Sequence, residues 1–332
     1  MLGILNTNTK VSVCGDIHIN LRAVDLIAWE TDRVLQLFTL LANNDSDVII
    51  LSGDVFDKPI ATLAEVGLFF EGVALLREQG KEVYVIDGNH EVIDDIHTTF
   101  HYLPKYWFTH VTSGFFETSH TYLWLVGHPL IGSLTKPNFP IITDKKNILI
   151  SHYRSDLGFV EAEVDNDIIS DVFDDTVLSD IHYKFSPKEN IRYTSSPYSI
   201  HYVPTKEYGY TTITFSSEGY TIEDKKLDLP SKIKLSCTLE TLNKTLEEVD
   251  TKHLYKVEVR GEATTEALAL LGKYHNIKSF SFSSPYIEVE DLVDDISTYE
   301  EGSLKDLVRT VLPTDLSEGE LHRVHEIIEE EL

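Results

Sequence analysis

The chain has 332 residues, a length that predicts two or three domains and excludes a single small one. Its 42% hydrophobic and 25% charged residues are typical of a globular protein and exclude a mostly disordered chain. The 55 acidic and 28 basic residues give a formal net charge of −27, which argues against tight unaided binding to a polyanion such as nucleic acid.

Short apolar runs alternate with helical patterns over the first hundred residues. Residues 11–14, 47–51 and 83–86 are predicted strands, rich in β-branched side chains. Between them, apolar residues recur at helical spacing over 24–42 and 62–79. This alternation predicts βαβ units around a largely buried sheet.

Strands follow one another more closely beyond residue 100. They are predicted at residues 122–126, 147–150, 176–178 and 208–215, with fewer helices between them. We therefore expect a second sheet packed on the first. The predicted fold class is α/β, a sandwich of two mixed β-sheets flanked by helices over residues 1–229.

The pattern changes near residues 229–230. Strands at 232–238 and 255–260 and a helix at 264–274 predict a small α+β domain over residues 230–290. Residues 291–332 form an acidic tail with two amphipathic helical patterns separated by Pro313. These helices either pack on their own domain or dock on a partner, and the pattern leaves both interpretations open.

Location is predicted from what the sequence lacks. The two cysteines, Cys14 and Cys237, exclude a disulfide framework and fit a reducing compartment. No segment reaches the roughly 20 consecutive apolar residues of a membrane-spanning helix. The N-terminus also lacks the pattern of a secretory signal. We expect a soluble, cytoplasmic protein.

Polar residues follow nearly every predicted strand. These runs are Gly15-Asp16-Ile17-His18, Gly53-Asp54-Val55-Phe56-Asp57, Gly88-Asn89-His90-Glu91, Ser151-His152 and Ser179-Asp180-Ile181-His182. Ligands of open α/β sheets bind outside the carboxyl ends of strands, so the runs are expected to converge at one edge. Asp, His and Asn without thiolates suit Mn²⁺, Fe²⁺, Mg²⁺ or Zn²⁺. A carboxylate such as Asp54 can bridge two cations that clamp a phosphodiester.

In this order, the five runs resemble the calcineurin-like metallophosphoesterase superfamily. Within it, the segment Tyr193-Thr-Ser-Ser-Pro197 and the two C-terminal units are similar to the nuclease subunit of SbcCD-type double-strand-break repair complexes, in the branch of phage recombination exonucleases. The resemblance implies a metallophosphoesterase sandwich. It also implies that residues 230–290 form a DNA-binding cap and that 291–332 bind an ATPase.

The resemblance also implies roles for individual residues. One metal ion would be held by Asp16, His18, Asp54 and His182, and the other by Asp54, Asn89, His152 and Asp180. The catalytic residue would be His90, which stabilises the transition state or protonates the leaving sugar oxygen. Asp87 or Glu91 is expected to orient it. Mn²⁺ is the expected metal, with Mg²⁺ as the other possibility.

The sequence departs from the family at two positions. Many relatives have Gly-His-x-His where this chain has Ser179-Asp180-Ile181-His182, which predicts a less cationic site and a shifted metal preference. Some relatives have a histidine at position 57, where this chain has Asp57, a residue expected to be a solvated turn carboxylate.

Further residues are assigned more loosely. Arg154, Lys184, Tyr193 and Ser196 are candidate substrate contacts. Phe69 and Phe70 form either core or a dimer face. Five histidines match no ligand pattern and are expected on surfaces or in loops: His97, His101, His110, His120 and His201.

The expected function is a two-metal DNA nuclease, an exonuclease with possible endonuclease activity, acting at DNA ends in recombination, repair and replication. The resemblance implies DNA and an SMC-like coiled-coil ATPase as partners, bound by a homodimer within a heterotetramer, in a bacterial host cytoplasm if the source is a phage. Two alternatives remain open: a phosphatase of a non-DNA substrate, and a mainly architectural subunit that bridges DNA ends.

Overall fold

The computed structural model describes residues 1–94, 97–134, 144–155, 162–204 and 206–283. The predicted helical tail, residues 291–332, and the end of the predicted cap, residues 284–290, lie outside the described residues. Within the described ranges, no helix is both long enough and apolar enough to cross a bilayer.

The described part of the chain contains short strands and five α-helices. In chain order they are β1 (Gly3–Ile4), β2 (Lys10–Cys14), α1 (Ile27–Asn43), β3 (Val48–Ser52), α2 (Leu63–Glu78), β4 (Glu82–Ile86), β5 (Thr109–His110), β6 (Ser113–Glu117), β7 (Thr121–Val126), β8 (Lys146–His152), α3 (Asn166–Val172), β9 (Asp175–Ser179), β10 (Phe185–Lys188), β11 (Ile191–Tyr193), β12 (Tyr208–Ser216), β13 (Gly219–Leu227), β14 (Lys232–Thr238), α4 (Leu242–Glu247), β15 (Leu254–Arg260), α5 (Thr265–Leu271) and β16 (Ile277–Ser283).

Two large mixed sheets pack face to face. One has the order β13-β12-β2-β3-β4-β5, in which β2 to β5 are parallel, and the other has the order β1-β6-β7-β8-β9-β11-β10. A buried apolar cluster joins them, with Val13 and Ile50 from the first sheet and Leu125, Ile150 and Val177 from the second. The predicted sandwich of two mixed sheets is confirmed.

Strand β3 explains why this sandwich has helices on its outer face. All five residues of β3 are buried, and successive side chains of a strand point to opposite faces. Val48 and Ile50 therefore face the second sheet, whereas Ile49 and Leu51 pack under α1 and α2. A strand that is apolar on both faces must pack against other elements on both sides. The second sheet packs on one face of β3, and the two helices pack on the other.

Helix α2 has clear start and stop signals. Thr62 and Glu65 form a reciprocal capping box at its N-terminus, and Gly80 follows its C-terminal end with φ +76°. Phe69 is fully buried in the core, and Phe70 is partly buried against it. Core packing therefore accounts for Phe69, one of the two aromatic side chains for which a dimer face was considered.

Residues 231–283, the C-terminal unit, form a third sheet with its own core. Strands β14, β15 and β16 are parallel neighbours, with α4 and α5 as the crossover helices. Val257, Val259, Leu246 and Leu271 lie in a buried cluster confined to this unit. The C-terminal unit therefore has both a sheet and a buried core of its own.

Candidate metal centre

The strand-end residues converge at one edge of the sandwich, where β2, β3 and β4 of one sheet meet β8 and β9 of the other. Their potential metal-ligating atoms form three overlapping groups, and within each group the atoms lie within 4.8 Å of one another. The groups are Asp16, His18 and His182; His18, Asp54 and His90; and Asp16, Asp54 and His152. The two sheets thus contribute to a single cluster.

Asp54 lies at the centre of this cluster. Its Oδ2 is 3.5 Å from Nε2 of His18, and its Oδ1 is 3.4 Å from Nε2 of His152. The same His152 nitrogen is 3.1 Å from Oδ1 of Asn89 and 3.8 Å from Oδ1 of Asp180. Potential metal-ligating atoms therefore lie on both sides of the Asp54 carboxylate, one set for each of two cations.

The backbone at this edge adopts an uncommon conformation. Asp16, His18, Asp54 and Asp180 have φ values of 54°, 50°, 50° and 101°, in the left-handed region that side chains rarely adopt. Backbone hydrogen bonds hold two of them, from the Asp16 N–H to the Gly53 carbonyl and from the His18 N–H to the Asp54 carbonyl. Strain of this kind concentrates at functional sites, where the surrounding structure maintains it.

Two glycines permit the strand ends to approach closely. A Cβ on Gly15 would lie 2.2 Å from Oγ of Ser179, whose hydroxyl is 2.6 Å from that of Ser52. A Cβ on Gly88 would lie 2.1 Å from Oδ1 of Asp54. Glycine precedes the polar residue at both places because any side chain would separate the two sheets or displace the central carboxylate.

The donor set fits divalent cations. His18 is 3% exposed, yet neither of its ring nitrogens makes a hydrogen bond. Asp16, Asp54 and His152 are also buried, and carboxylates held this close repel one another unless a cation compensates them. Imidazole nitrogens with carboxylate and amide oxygens are ligands for Mn²⁺, Fe²⁺, Zn²⁺ or Mg²⁺.

Protonation at this edge is governed by burial and by neighbouring charges. Burial, with Asp54 and Asp180 nearby, raises the pKa of Asp16 well above its usual range. Burial would also raise the pKa of Asp54, but the imidazoles of His152, His18 and His90 hold it below the usual value. Burial, and then His18, lowers the pKa of His182 to about 3, so its imidazole is neutral and its lone pair is available to a metal.

Comparison with protein families agrees with this geometry. The model of the calcineurin-like phosphoesterases matches residues 9–216, which include every residue of the cluster. The chain belongs to this family. A comparison with curated proteins gives no significant match.

Three solved structures are similar to this chain. A dimetal phosphatase from Danio rerio is 9% identical, with 66% of this chain and 96% of that chain covered and a TM-score of 0.42. A purple acid phosphatase from yellow lupin seeds is 9% identical, with coverage of 67% and 52% and a TM-score of 0.41. A cold-active protein-tyrosine phosphatase of a Shewanella species is 12% identical, with coverage of 68% and 82% and a TM-score of 0.33.

The imidazoles of this phosphoesterase are oriented by backbone carbonyls. Nδ1 of His152 is 3.0 Å from the carbonyl oxygen of Ser52, and Nδ1 of His90 is 2.8 Å from that of Asp57. An N–H at each Nδ1 donates to the carbonyl, so Nε2 of each ring faces Asp54. The His90 side chain is 35% exposed, so part of this ring is accessible to solvent.

Asp57 is not the solvated carboxylate that the sequence predicted. Its side chain is 18% exposed, with Oδ1 3.3 Å from Nδ1 of His18, and its Oδ2 accepts a hydrogen bond from Asn20. The backbone carbonyl of Asp57 is in turn 2.8 Å from Nδ1 of His90. Asp57 therefore contacts two of the cluster's histidines, one through its side chain and one through its backbone.

The predicted orienting residues of His90 act elsewhere. Glu91 is fully buried and accepts hydrogen bonds from the backbone N–H groups of Asp54, Phe56 and Gly88. It thereby fixes the turn that carries Asp54. Asp87 pairs instead with His110, 2.7 Å away, whose side chain is 2% exposed. His110 is therefore a buried partner of Asp87, contrary to the expected surface or loop position.

Arg154 lies at the edge of the cluster beside the unusual acidic residue. Its Nε is 3.2 Å from Oδ2 of Asp180, while Oδ1 of Asp180 faces His152. The backbone N–H of Asp180 donates to the Asp16 carboxylate. The guanidinium thus offsets part of the negative charge that Asp180 adds to the site.

The other predicted substrate contacts lie differently. Tyr193 and Ser196 are buried, and their hydroxyl groups donate to backbone carbonyls, in the case of Ser196 to those of His182 and Tyr198. They support the backbone of the site and do not offer a group to substrate. Lys184 is half-exposed and pairs with Asp224 at 2.8 Å.

One further residue of the site carried no signal in the sequence. The ring of His201 lies 6.1 Å from that of His182, and His201 is exposed. It follows the Tyr193–Pro197 segment and belongs to no strand-end motif. Only the tertiary fold places it beside a candidate ligand.

Proposed function

We propose that this phosphoesterase is a two-metal-dependent DNA nuclease that hydrolyses phosphodiester bonds at DNA ends, with Mn²⁺ as the preferred metal. The observation that carries the proposal is the connection between the cluster and the C-terminal unit. Ser196 holds the backbone of His182, and Val203 pairs with Ile233 of β14 a few residues later. A second unit linked to the metal cluster in this way extends the surface next to the site. Such a surface suits a long polymeric substrate better than a small monoester.

In this function, each residue of the cluster has a role. Asp16, His18, Asp54 and His182 would hold one divalent ion, and Asp54, Asn89, His152 and Asp180 would hold the other. Divalent ions held by these residues would supply activation of water and compensation of the charge that develops on phosphate. Glu91 fixes the turn of Asp54 through three backbone hydrogen bonds.

His90 is assigned the proton transfer. Its backbone N–H donates to Asp54, and its Nδ1 is engaged by the Asp57 carbonyl, so the ring is held from two sides. Nε2 faces the cluster. Because the N–H at Nδ1 already donates to the Asp57 carbonyl, the proton donor would be the imidazolium form of His90, which would pass its Nε2 proton to the leaving sugar oxygen. Proton transfer by a positioned side chain contributes about 10²–10⁴-fold to the rate.

The test is cleavage of end-labelled linear duplex and single-stranded DNA, with Mn²⁺, with Mg²⁺ and with chelator. We expect metal-dependent cleavage that falls by about 10²–10⁴-fold in His90→Asn. His97→Asn is the matched control, because His97 is a half-exposed histidine paired with Asp94 outside the cluster. Equal cleavage by both variants would contradict the role of His90, and no cleavage by the wild type with or without the ATPase would contradict the nuclease.

A phosphatase acting on a small substrate is the second candidate. The two basic residues expected to contact the phosphates of DNA are both in ion pairs, Arg154 with Asp180 and Lys184 with Asp224. Because acidic partners already compensate their charges, a DNA backbone gains less from them, which favours a small substrate. Nitrophenyl phosphate and bis-nitrophenyl phosphate separate the two candidates. The nuclease predicts the higher kcat/KM on the diester, and a clear preference for the monoester would favour the phosphatase.

DNA affinity is proposed to come largely from a partner. A formal charge of −27 repels DNA at long range, so an SMC-like ATPase bound through residues 291–332 would supply most of the phosphate contacts. Two copies of each chain would form the working assembly. In an architectural subunit, by contrast, DNA ends would be bridged without cleavage.

A further inference from the structure

Arg33 of α1 is a charged residue in the interior of the molecule. It is 1% exposed, and its guanidinium lies between two aromatic rings, 4.1 Å from the centroid of Tyr198 and 4.7 Å from that of Trp29. One nitrogen donates to the Ser199 carbonyl at 3.0 Å, and another lies 2.6 Å from Glu30. Burying such a cation is costly unless its partners are fixed.

Tyr198 connects this arginine to the metal cluster. The tyrosine is fully buried, and its hydroxyl donates to the carbonyl oxygen of Ile17 at 2.9 Å. Ile17 stands between Asp16 and His18, the two candidate ligands with left-handed φ values. The Tyr198 hydroxyl therefore holds the middle of a strained loop whose flanking residues are candidate metal ligands.

The C-terminal unit contacts Glu30 and Trp29, two residues of α1 that adjoin Arg33. Nζ of Lys232, at the start of β14, is 2.9 Å from Oε1 of Glu30, and both side chains are largely buried. The indole N–H of Trp29 donates to the Lys252 carbonyl. A chain of contacts thus runs from Lys232 through Glu30, Arg33 and Tyr198 to the loop between the ligands.

We propose that Tyr198 and Arg33 are positioning residues that set the Asp16–His18 loop for metal binding, and that the Lys232–Glu30 ion pair makes this setting depend on the C-terminal unit. The proposal rests on the metal site of the proposed function but not on DNA as the substrate. Docking of the C-terminal unit and metal binding then favour each other.

The first test is Mn²⁺ affinity, measured by calorimetry on the full chain without substrate. Tyr198→Phe keeps the ring against Arg33 and removes only the hydroxyl, so we expect affinity to fall about three- to tenfold. Tyr220→Phe is the matched control, because its hydroxyl bonds Asp175 at the opposite end of β9 from the cluster. Affinity of Tyr198→Phe within twofold of that control would overturn the proposal.

The second test separates positioning from general stability. Lys232→Met removes the ion pair to Glu30, whereas Lys234→Met removes a pair to Glu258 within the C-terminal unit. Of these two variants, we expect only Lys232→Met to bind Mn²⁺ more weakly. When Lys232→Met is combined with Tyr198→Phe, we expect a fold-loss of Mn²⁺ affinity smaller than the product of the two single fold-losses. Equal affinities of the two lysine variants, or independent effects in the double variant, would overturn the coupling.

The third test measures the kcat of Tyr198→Phe as a function of Mn²⁺ concentration. If Tyr198 acts through the metal site, excess Mn²⁺ restores the kcat of Tyr198→Phe on bis-nitrophenyl phosphate, because only metal occupancy is impaired. A kcat that stays low at saturating Mn²⁺ would contradict this route. Failure of the wild type to cleave DNA while it binds Mn²⁺ would refute the nuclease function alone, since the calorimetric comparison needs no DNA.

Discussion

Asp54 shows how much of the site depends on single side chains. Its carboxylate contacts imidazoles on both sides, and its backbone N–H is held by Glu91. The sequence placed the Asp54 carboxylate at the ligand edge of the sheet because it follows a buried strand, and the family resemblance implied its role as a shared ligand. It could not predict Asp57 as a neighbour of His18, since that contact depends on which way one turn folds inward.

We predict that the Asp16 carboxylate lowers the free energy of unfolding of the metal-free protein while it contributes to metal binding. Burial, with Asp54 and Asp180 nearby, raises its pKa, so the metal-free fold disfavours the charged carboxylate. Asp16→Asn removes this charge and can still accept the hydrogen bond of the Asp180 N–H. We expect the variant to gain about 1–2 kcal/mol without metal and to lose the stabilisation that Mn²⁺ gives the wild type.

Thermal unfolding in EDTA and in Mn²⁺ measures both effects of Asp16→Asn. Asp45→Asn is the control, because Asp45 is an exposed carboxylate that pairs with Lys10, outside the cluster. It should follow the wild type in both conditions. A metal-free Asp16→Asn that is less stable than the wild type, or equal stabilisation of the two by Mn²⁺, would contradict the assignment.

At the scale of elements, the strands and helices with strong periodicity were predictable. Strands β2, β3 and β4 and helix α2 lie within one or two residues of their predicted bounds, because most residues of these strands are buried apolar ones and the helix has cap signals. The outer strand β13 was missed because most of its residues are exposed and show no apolar alternation. The short helix α4 has too few residues for a periodic pattern.

Helix α2 provides a test of the packing that supports the site. A Cβ on Gly72 would lie 2.3 Å from the buried ring of Phe38, whereas a Cβ on Gly67 would meet nothing within 4 Å. Gly72→Ala should therefore destabilise the protein by about 1–3 kcal/mol through overpacking of α1 against α2. Gly67→Ala should stabilise it by up to about 1 kcal/mol through helix propensity.

Denaturant unfolding of the two alanine variants gives the comparison directly, since both change a glycine inside the same helix. If Gly72→Ala were as stable as Gly67→Ala, the close approach of α1 and α2 would be wrong.

At the scale of the whole molecule, the sequence predicted the sandwich and the convergence of the strand ends, but not how the C-terminal unit reaches the site. That connection joins residues far apart in the chain, such as Arg33 with Ser199 and Glu30 with Lys232. No local pattern encodes such pairs. The metal cluster was easier to predict because parallel strands bring their carboxyl ends to one edge in any sandwich of this kind.

Charge at this scale predicts weak DNA binding by the isolated chain. With a net charge of −27, we expect a Kd for duplex DNA no tighter than about 10⁻⁶ M at physiological salt, the range of non-specific binding. Fluorescence anisotropy with labelled duplex measures it, and addition of the ATPase should tighten binding by at least tenfold. Nanomolar binding by the isolated chain would contradict the proposed division of labour.

The two-metal centre itself is tested most directly by anomalous diffraction from crystals grown with Mn²⁺. We predict two peaks, one on each side of Asp54. One lies among Asp16, His18 and His182, and the other among Asn89, His152 and Asp180. A single peak, or two peaks of which neither contacts Asp54, would contradict it.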